Sequence, residues 1–196
     1  MFYTFLSKRL IKIFINSMKL IIYSFLVILQ IYNEVNANNK NYIKSIKDPD
    51  SFILAENGKI APLLIDKDDF PGVLRVASHL QADFEKVTGK KPRLLNVLSE
   101  NTEVIIIGTI GKSKFIDELI KREKINKDDL ECKNEKFVIQ RVKNPFPKID
   151  EAIVIAGSDK RGTIYGIYDL SQKIGVSPWH YWADVPARKS DKRSEE

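Results

Sequence analysis

"EAIVIAGSDKRGTIYGIYDLSQKIG", residues 151–175, carries two periodicities end to end. From Ala152 to Ala156 the side chains are apolar without a break, the pattern of a strand covered on both faces. Beyond Gly157 the period changes. Ile164, Ile167, Tyr168, Ser171 and Ile174 recur at three- and four-residue intervals and predict one buried face of a helix. Ser158 or Asp159 stands where an N-cap is needed, and Gly175 supplies the stop. Gly162 and Gly166, one turn apart, predict a helix lying close against a sheet. A buried strand feeding directly into a helix is the unit of an α/β fold.

The same unit recurs upstream. Val104 to Ile107 is an apolar run followed by a glycine turn and a helix whose buried side would be Phe115, Ile116, Leu119 and Ile120. The helix with the fullest set of signals lies near residues 68–92. Asp68 or Asp69 could cap it, Pro71 fits its first turn, and Gly89 and Pro92 end it. Its stripe is Val73, Val76, Ala77, Leu80, Phe84 and Val87, with His79 beside it. Residues 51–66 read as two short strands around Asn57-Gly58, a hairpin signal. Residues 93–98 and 136–142 complete the strands, the latter alternating as a half-exposed strand does. The expected fold class is α/β: a mixed β-sheet with helices packed on it in two or three layers, the mixing supplied by the opening hairpin.

Of 196 residues, 43% are hydrophobic and 30% charged, which fits a globular domain and excludes a disordered one. The net charge is +6, and half of it lies in residues 1–37, where Lys8, Arg9, Lys12 and Lys19 face only Glu34. No basic stripe with interleaved aromatics appears, so no nucleic-acid partner is expected. After Met18 and Lys19 comes an uncharged run from Leu20 to Tyr32, then Val35-Asn36-Ala37. A basic start, a short apolar run and small residues at the boundary form the layout of a secretory signal, with Met18 as the expected start. An uncleaved anchor is the alternative, and membrane contact is expected only through this leader. The location expected is secreted or periplasmic. Residues 38–50 read as a loose segment, 51–186 as the α/β domain and 187–196 as a linker.

The search for chemistry returns little. One cysteine, Cys132, and two histidines, His79 and His180, cannot make a zinc site, and no metal or cofactor is expected. Gly108 to Ser113, "GTIGKS", suggests a phosphate loop, but that motif needs a glycine at position 106, which is Ile106. Ser158, Asp159, Lys160 and Arg161 at a helix start could hold an anion, although capping and packing are the favoured explanation. The acids Asp66, Asp68, Asp69, Asp117, Glu118, Asp128, Asp129, Asp150, Glu151 and Asp184 offer no pair with identifiable partners. Both tryptophans, Trp179 and Trp182, fall with His180 and Tyr181 in "SPWHYWADVP", residues 177–186.

Residues 155–186, "IAGSDKRGTIYGIYDLSQKIGVSPWHYWADVP", resemble the end of the N-terminal domain of glycoside hydrolase family 115, the xylan α-1,2-glucuronidases. "IIIGTIGKSKFID", residues 105–117, resembles the same family, and the likeness extends over roughly residues 45–188. A looser form of the motif, Arg161-Gly162 followed by Tyr165-Gly166, is similar to the N-terminal domains of families 20 and 67. One departure stands at positions 180 and 181, His180 and Tyr181, where the family has Tyr and Trp.

The resemblance implies a catalytic (β/α)8 barrel beyond this chain, holding the groups that protonate the leaving oxygen and activate water with inversion. It implies no catalytic residue here. The expectation is an inactive N-terminal fragment of a secreted xylan α-glucuronidase, with glucuronoxylan reached through the parent enzyme. Ser158, Asp159, Lys160, Arg161, Trp179, Trp182 and Asp184 are the candidates for the pocket rim or the barrel interface, the aromatic run being the surface the barrel would cover. A non-enzymatic carbohydrate-binding or scaffold module is the second reading, and a truncated gene product without function the third.

Overall fold

The computed structural model describes residues 18, 19, 21–26, 43, 44, 51–180, 183–190 and 193–195. The chain divides into two units, Met1–Asn41 and Tyr42–Glu196. In the first, residues 18, 19 and 21–26 are helical and exposed. Among the described residues no helix is long and apolar enough to cross a membrane. The rest of the predicted signal run and the Val35–Ala37 boundary lie outside the described residues.

The second unit is built on a five-stranded sheet in the order β5-β4-β6-β8-β7. Strands β4 (Leu63–Ile65), β5 (Leu94–Leu95), β6 (Asn101–Thr109) and β8 (Ile149–Gly157) are parallel, and β7 (Phe137–Phe146) is antiparallel to β8. Helices α1 (Pro71–Thr88), α2 (Lys114–Lys121) and α3 (Lys160–Ile174) connect them. The period of two along each strand separates two cores. Leu63, Ile65, Ile105, Ile107, Ile153 and Ile155 join α1 and α3 on one face. Leu64, Val104, Ile106, Ala152, Val154 and Ala156 join Phe115, Ile116 and Leu119 of α2 on the other. The result is the three-layer form of the expected fold.

The mixing has a different source from the one predicted. The Asn57-Gly58 hairpin is present, joining β2 (Phe52–Glu56) to β3 (Lys59–Ile60), but it belongs to a second, small sheet ordered β1-β9-β2-β3. The antiparallel strand of the main sheet is β7. The predicted second strand of the hairpin breaks at Ala61-Pro62, and β4 enters the main sheet beyond it.

Two segment expectations are corrected by the small sheet. Within residues 38–50, expected loose, Ile43–Lys44 forms β1, and Ile43 is buried. Within residues 187–196, expected to be a linker leading away, Arg193–Glu195 forms β9 between β1 and β2. Alternating charge hid this strand, because its pairing is through the backbone.

The α1 stripe is buried as expected, but Asp68 and Asp69 do not cap the helix. Phe70 is the N-cap residue and makes no side-chain capping bond, while Pro71 opens the helix. On α3, Tyr168 was expected on the buried face and is exposed; Gly162, Thr163, Gly166 and Leu170 take the inner positions with Ile167, Ser171 and Ile174. Small residues define that face because the helix lies so close to the sheet.

Candidate functional site

In open α/β sheets ligands lie outside the carboxyl ends of the parallel strands. Here the chain's own side chains fill that crevice. Asp66, just past β4, is buried, and its Oδ2 accepts the backbone N–H of Lys114 at 2.9 Å, at the start of α2. That is the position an anion would take at a helix N-terminus. Asp66 Oδ1 accepts from the Asp68 N–H at 3.2 Å, and Lys114 Nζ stands 3.7 Å away. Asp69, also buried, accepts from Phe70 N–H at 2.7 Å and from Thr109 N–H at 2.8 Å. Burial pushes its carboxyl above the ordinary 3.8, a shift that the N–H donors oppose and the Asp66 charge adds to. The hydroxyls of Thr109 and Thr163 meet at 2.7 Å and tie β6 to α3.

The "GTIGKS" turn closes in the same way. Gly111 adopts φ 71°, and its N–H donates to Asp117 Oδ1 at 2.7 Å. A side chain of the helix itself thus occupies a donor that a phosphate loop would present. The buried Ser113 hydroxyl has no hydrogen-bond partner. It packs against Gly108, where a Cβ would overlap it.

Of the residues proposed from the sequence, Ser158, Asp159, Lys160 and Arg161 do assemble at one helix start, and their bonds are structural. Asp159 caps α3, accepting from Gly162 N–H at 2.8 Å, and its other oxygen accepts from Glu135 N–H at 2.8 Å. Ser158 Oγ accepts from Lys136 N–H at 3.0 Å. Arg161 pairs with Glu135 at 2.6 Å, and Lys160 is exposed. The two N–H donors hold the Asp159 carboxyl below the ordinary 3.8. A group whose folded-state pKa is depressed adds stability above its unfolded value and loses it as pH falls through the folded one. Asp159→Asn keeps one capping oxygen and loses the charge. The wild type's advantage over it in urea unfolding should be clear at neutral pH and close below the ordinary aspartate value. Asp159→Ala should cost about 1 kcal/mol, the usual worth of a cap.

Trp179 and Asp184 lie beyond the other end of α3, about 22 Å away along a 15-residue helix. The structure therefore does not bring the two groups into one site. Trp182 and Tyr181 lie outside the described residues. Trp179 is 65% exposed. Arg188 N–H donates to Gly175 O at 3.0 Å, beside buried Val176 and half-buried Ala187. Within the loop, His180 Nδ1 donates to Val185 O at 2.7 Å. Asp184 is exposed, at φ 50°.

Four further candidates lie exposed or pair with a neighbouring cation. His79 is exposed, 3.5 Å from the Tyr168 hydroxyl. Cys132 is exposed. Glu118 pairs with Arg122 and Glu151 with Arg141. Among the described residues no group of three His, Cys, Asp or Glu could hold a metal ion. The sequence reading missed Asp83, buried between α1 and α3, which accepts from Ser171 Oγ at 2.6 Å and Lys86 Nζ at 2.9 Å. The signal was available: Asp83 lies three residues after Leu80 and four before Val87, on the apolar stripe itself.

The family model described as the glycosyl hydrolase family 67 N-terminus matches residues 55–170, more than half of the chain. The chain belongs to that family. The glycosyl hydrolase family 67 N-terminal match runs from the end of β2 almost to the end of α3, so it takes in the main sheet and the whole of the core under α2. Among solved structures, a family GH115 4-O-methyl-α-glucuronidase with specificity for decorated arabinogalactans aligns at TM-score 0.57 and 30% identity. The alignment covers 72% of this chain and 17% of that enzyme, so the chain spans about a sixth of its length. A second structure, CpGH84D, aligns at TM-score 0.46 and 14% identity over 79% of this chain and 22% of its own, and carries no argument. No curated protein sequence matches the chain. The glycoside hydrolase N-terminal domain inferred from residues 155–186 and 105–117 is thus the fold present.

Proposed function

We propose that this chain is the N-terminal accessory domain of an exported α-glucuronidase that removes (4-O-methyl)glucuronic acid side chains from xylan with inversion. The observation that carries the reading is the family 67 N-terminal match together with 30% identity to a 4-O-methyl-α-glucuronidase. Glycoside hydrolysis with inversion needs an acid at the leaving oxygen and a base at the attacking water. The acids at the crevice do not supply that pair, because Asp66, Asp69 and Asp159 are committed to backbone N–H groups. The chemistry is therefore assigned to a separate catalytic barrel. The relative's specificity for decorated arabinogalactans makes the polysaccharide main chain the variable part of this reading and the uronic acid branch the constant part. Export rests on the basic, apolar leader around Met18.

The loop at residues 177–186 is the proposed docking surface for that barrel. Exposed Trp179 favours it, since a large aromatic side chain left to solvent is the kind of anchor that dominates interfaces. The same indole favours the second reading, a carbohydrate-binding module, through stacking on sugar rings. The chain alone, incubated with glucuronoxylan or arabinogalactan, should release no uronic acid. Addition of a family GH115 catalytic barrel should blue-shift its tryptophan fluorescence, and Trp179→Ala should abolish that shift without altering thermal stability. Release of uronic acid by the chain alone overturns the accessory-domain reading, and a shift produced by xylan oligosaccharides but not by the barrel favours the module.

A further inference from the structure

Strand β9 is seated in the middle of the small sheet, and its neighbours depend on it. On one side it pairs antiparallel with β1, Ile43 opposite Glu195 and Lys44 opposite Ser194. On the other it pairs antiparallel with the start of β2, Phe52 opposite Glu195 and Ile53 opposite Ser194. Strand β3 reaches only the far end of β2, at Ala55 and Glu56. Among the described strands, β1 pairs with β9 alone. What these neighbours carry is core. Ile43 is 4% exposed and Phe52 is fully buried, and both belong to the cluster that joins the main sheet to α1 and α3.

The sequence of β9, Arg193-Ser194-Glu195, offers no apolar side chain to that core. Backbone pairing is what seats it, so its opening removes ladder bonds and no apolar burial of its own. The segment leading to it runs past both helix ends. Arg188 N–H donates to Gly175 O at 3.0 Å, just beyond α3. Ser190 N–H donates to Val87 O at 2.8 Å, satisfying a carbonyl in the last turn of α1 that the helix itself leaves unpaired. Ile43 and Glu195 lie about 150 residues apart in the chain. Closing that pair carries a loop-closure entropy that only a few ladder bonds offset. Pairings of this kind form late and open before the strands at the centre of a sheet.

We propose that β9 is a latch. Closed between β1 and β2, it fastens the first strand of the unit to the core; open, it frees β1 and the start of β2 while the main sheet stays folded. The order of the domain's first strand then depends on the segment that follows the Trp179 loop. The proposal is independent of the α-glucuronidase reading.

The test is hydrogen exchange on the full chain carrying Ser194→Pro, with Ser194→Ala as control. Proline removes the N–H of a strand that has neighbours on both sides, and alanine keeps it. In Ser194→Pro, exchange in the segments containing residues 43–44 and 52–53 should accelerate by about ten-fold, the loss of one hydrogen bond. Residues 104–107 of β6 and 152–155 of β8 should keep the wild-type rate, and Ser194→Ala should match wild type throughout. A double-mutant cycle supplies the second measurement. Ile43→Ala should lower the Tm of the wild type, and should lower that of the Ser194→Pro chain by clearly less, because β1 is already loose there. Wild-type exchange at residues 43–44 and 52–53 in Ser194→Pro would overturn the latch. So would an acceleration as large at residues 104–107, or equal Tm losses from Ile43→Ala in both backgrounds. None of these measurements involves a carbohydrate, so their failure is distinguishable from failure of the uronic acid release assay.

Discussion

Gly162→Ala is expected to destabilise the domain by about 3 kcal/mol, the upper end of what an overpacked site costs. For a unit of this size that is a fall in Tm of roughly 6–12 °C. A Cβ at Gly162 would run into the carbonyl of Lys136, with the Lys136 carbonyl carbon at 3.0 Å and its nitrogen at 3.1 Å. All three are backbone atoms, so no rotamer change relieves the overlap. Nor can Lys136 retreat. Its carbonyl accepts from Ser158 N–H at 2.9 Å, and its own N–H is held by Ser158 Oγ at 3.0 Å. The strain would pass straight into the start of β7 and the N-cap of α3. Gly72→Ala is the control, on the other helix of the same layer. A Cβ there meets only the side-chain tips of Ile164 at 3.6 Å and Lys160 at 3.7 Å, which is ordinary contact. Replacing a helical glycine without a clash should raise stability by about 0.5–1 kcal/mol. Differential scanning calorimetry of the two variants should give shifts of opposite sign. A Gly162→Ala melting point equal to wild type would mean that the Arg161-Gly162 motif is not a packing device.

The same contrast shows where the sequence could be read and where it could not. Periodicity recovered β6, β8, α1 and α3, because each buries a face whose spacing is set by its own geometry. Gly162 and Gly166 were legible as close-contact residues because two glycines one turn apart have little other use in a helix. The hairpin at Asn57-Gly58 was legible through turn chemistry, yet the sheet it joins was not, since membership depends on a partner more than a hundred residues away in β9. Strand β9 has no apolar pattern at all. The candidate site divides in the same manner. A helix start rich in polar residues marks both a cap and an anion site, and only the partners of Ser158 and Asp159 decide between them. Those partners, Glu135 and Lys136, lie more than twenty residues earlier. Trp179 and Asp159 looked like neighbours because one short helix separates them in sequence, and that helix holds them a helix length apart.

Asp66→Ala should cost about 3 kcal/mol, because it removes the acceptor from two backbone donors at once. The Lys114 N–H belongs to the first turn of α2 and has no partner within that helix. Stranding a buried donor costs about 1–3 kcal/mol, and more where the lost acceptor is charged. The Asp68 N–H loses its bond as well. The substitution should loosen α2 before the rest of the unit, so hydrogen exchange at residues 114–119 should accelerate more than at residues 73–84. Uniform acceleration would show that Asp66 contributes only to global stability and does not fasten α2. Asp69 supplies an independent check through pH. Its folded-state pKa is raised, so folding favours the protonated form. That contribution is fully present below the unfolded value and fades as pH rises through the folded one. The wild type's advantage over Asp69→Asn should therefore be larger in acid than at neutrality, the reverse of the trend for Asp159→Asn. Two aspartates at the same end of one sheet would then titrate in opposite senses, because one is buried beside another carboxylate and the other receives two N–H bonds at the domain surface. Parallel pH trends for the two variants would rule out a buried carboxylate lock at the crevice and leave it open to a ligand.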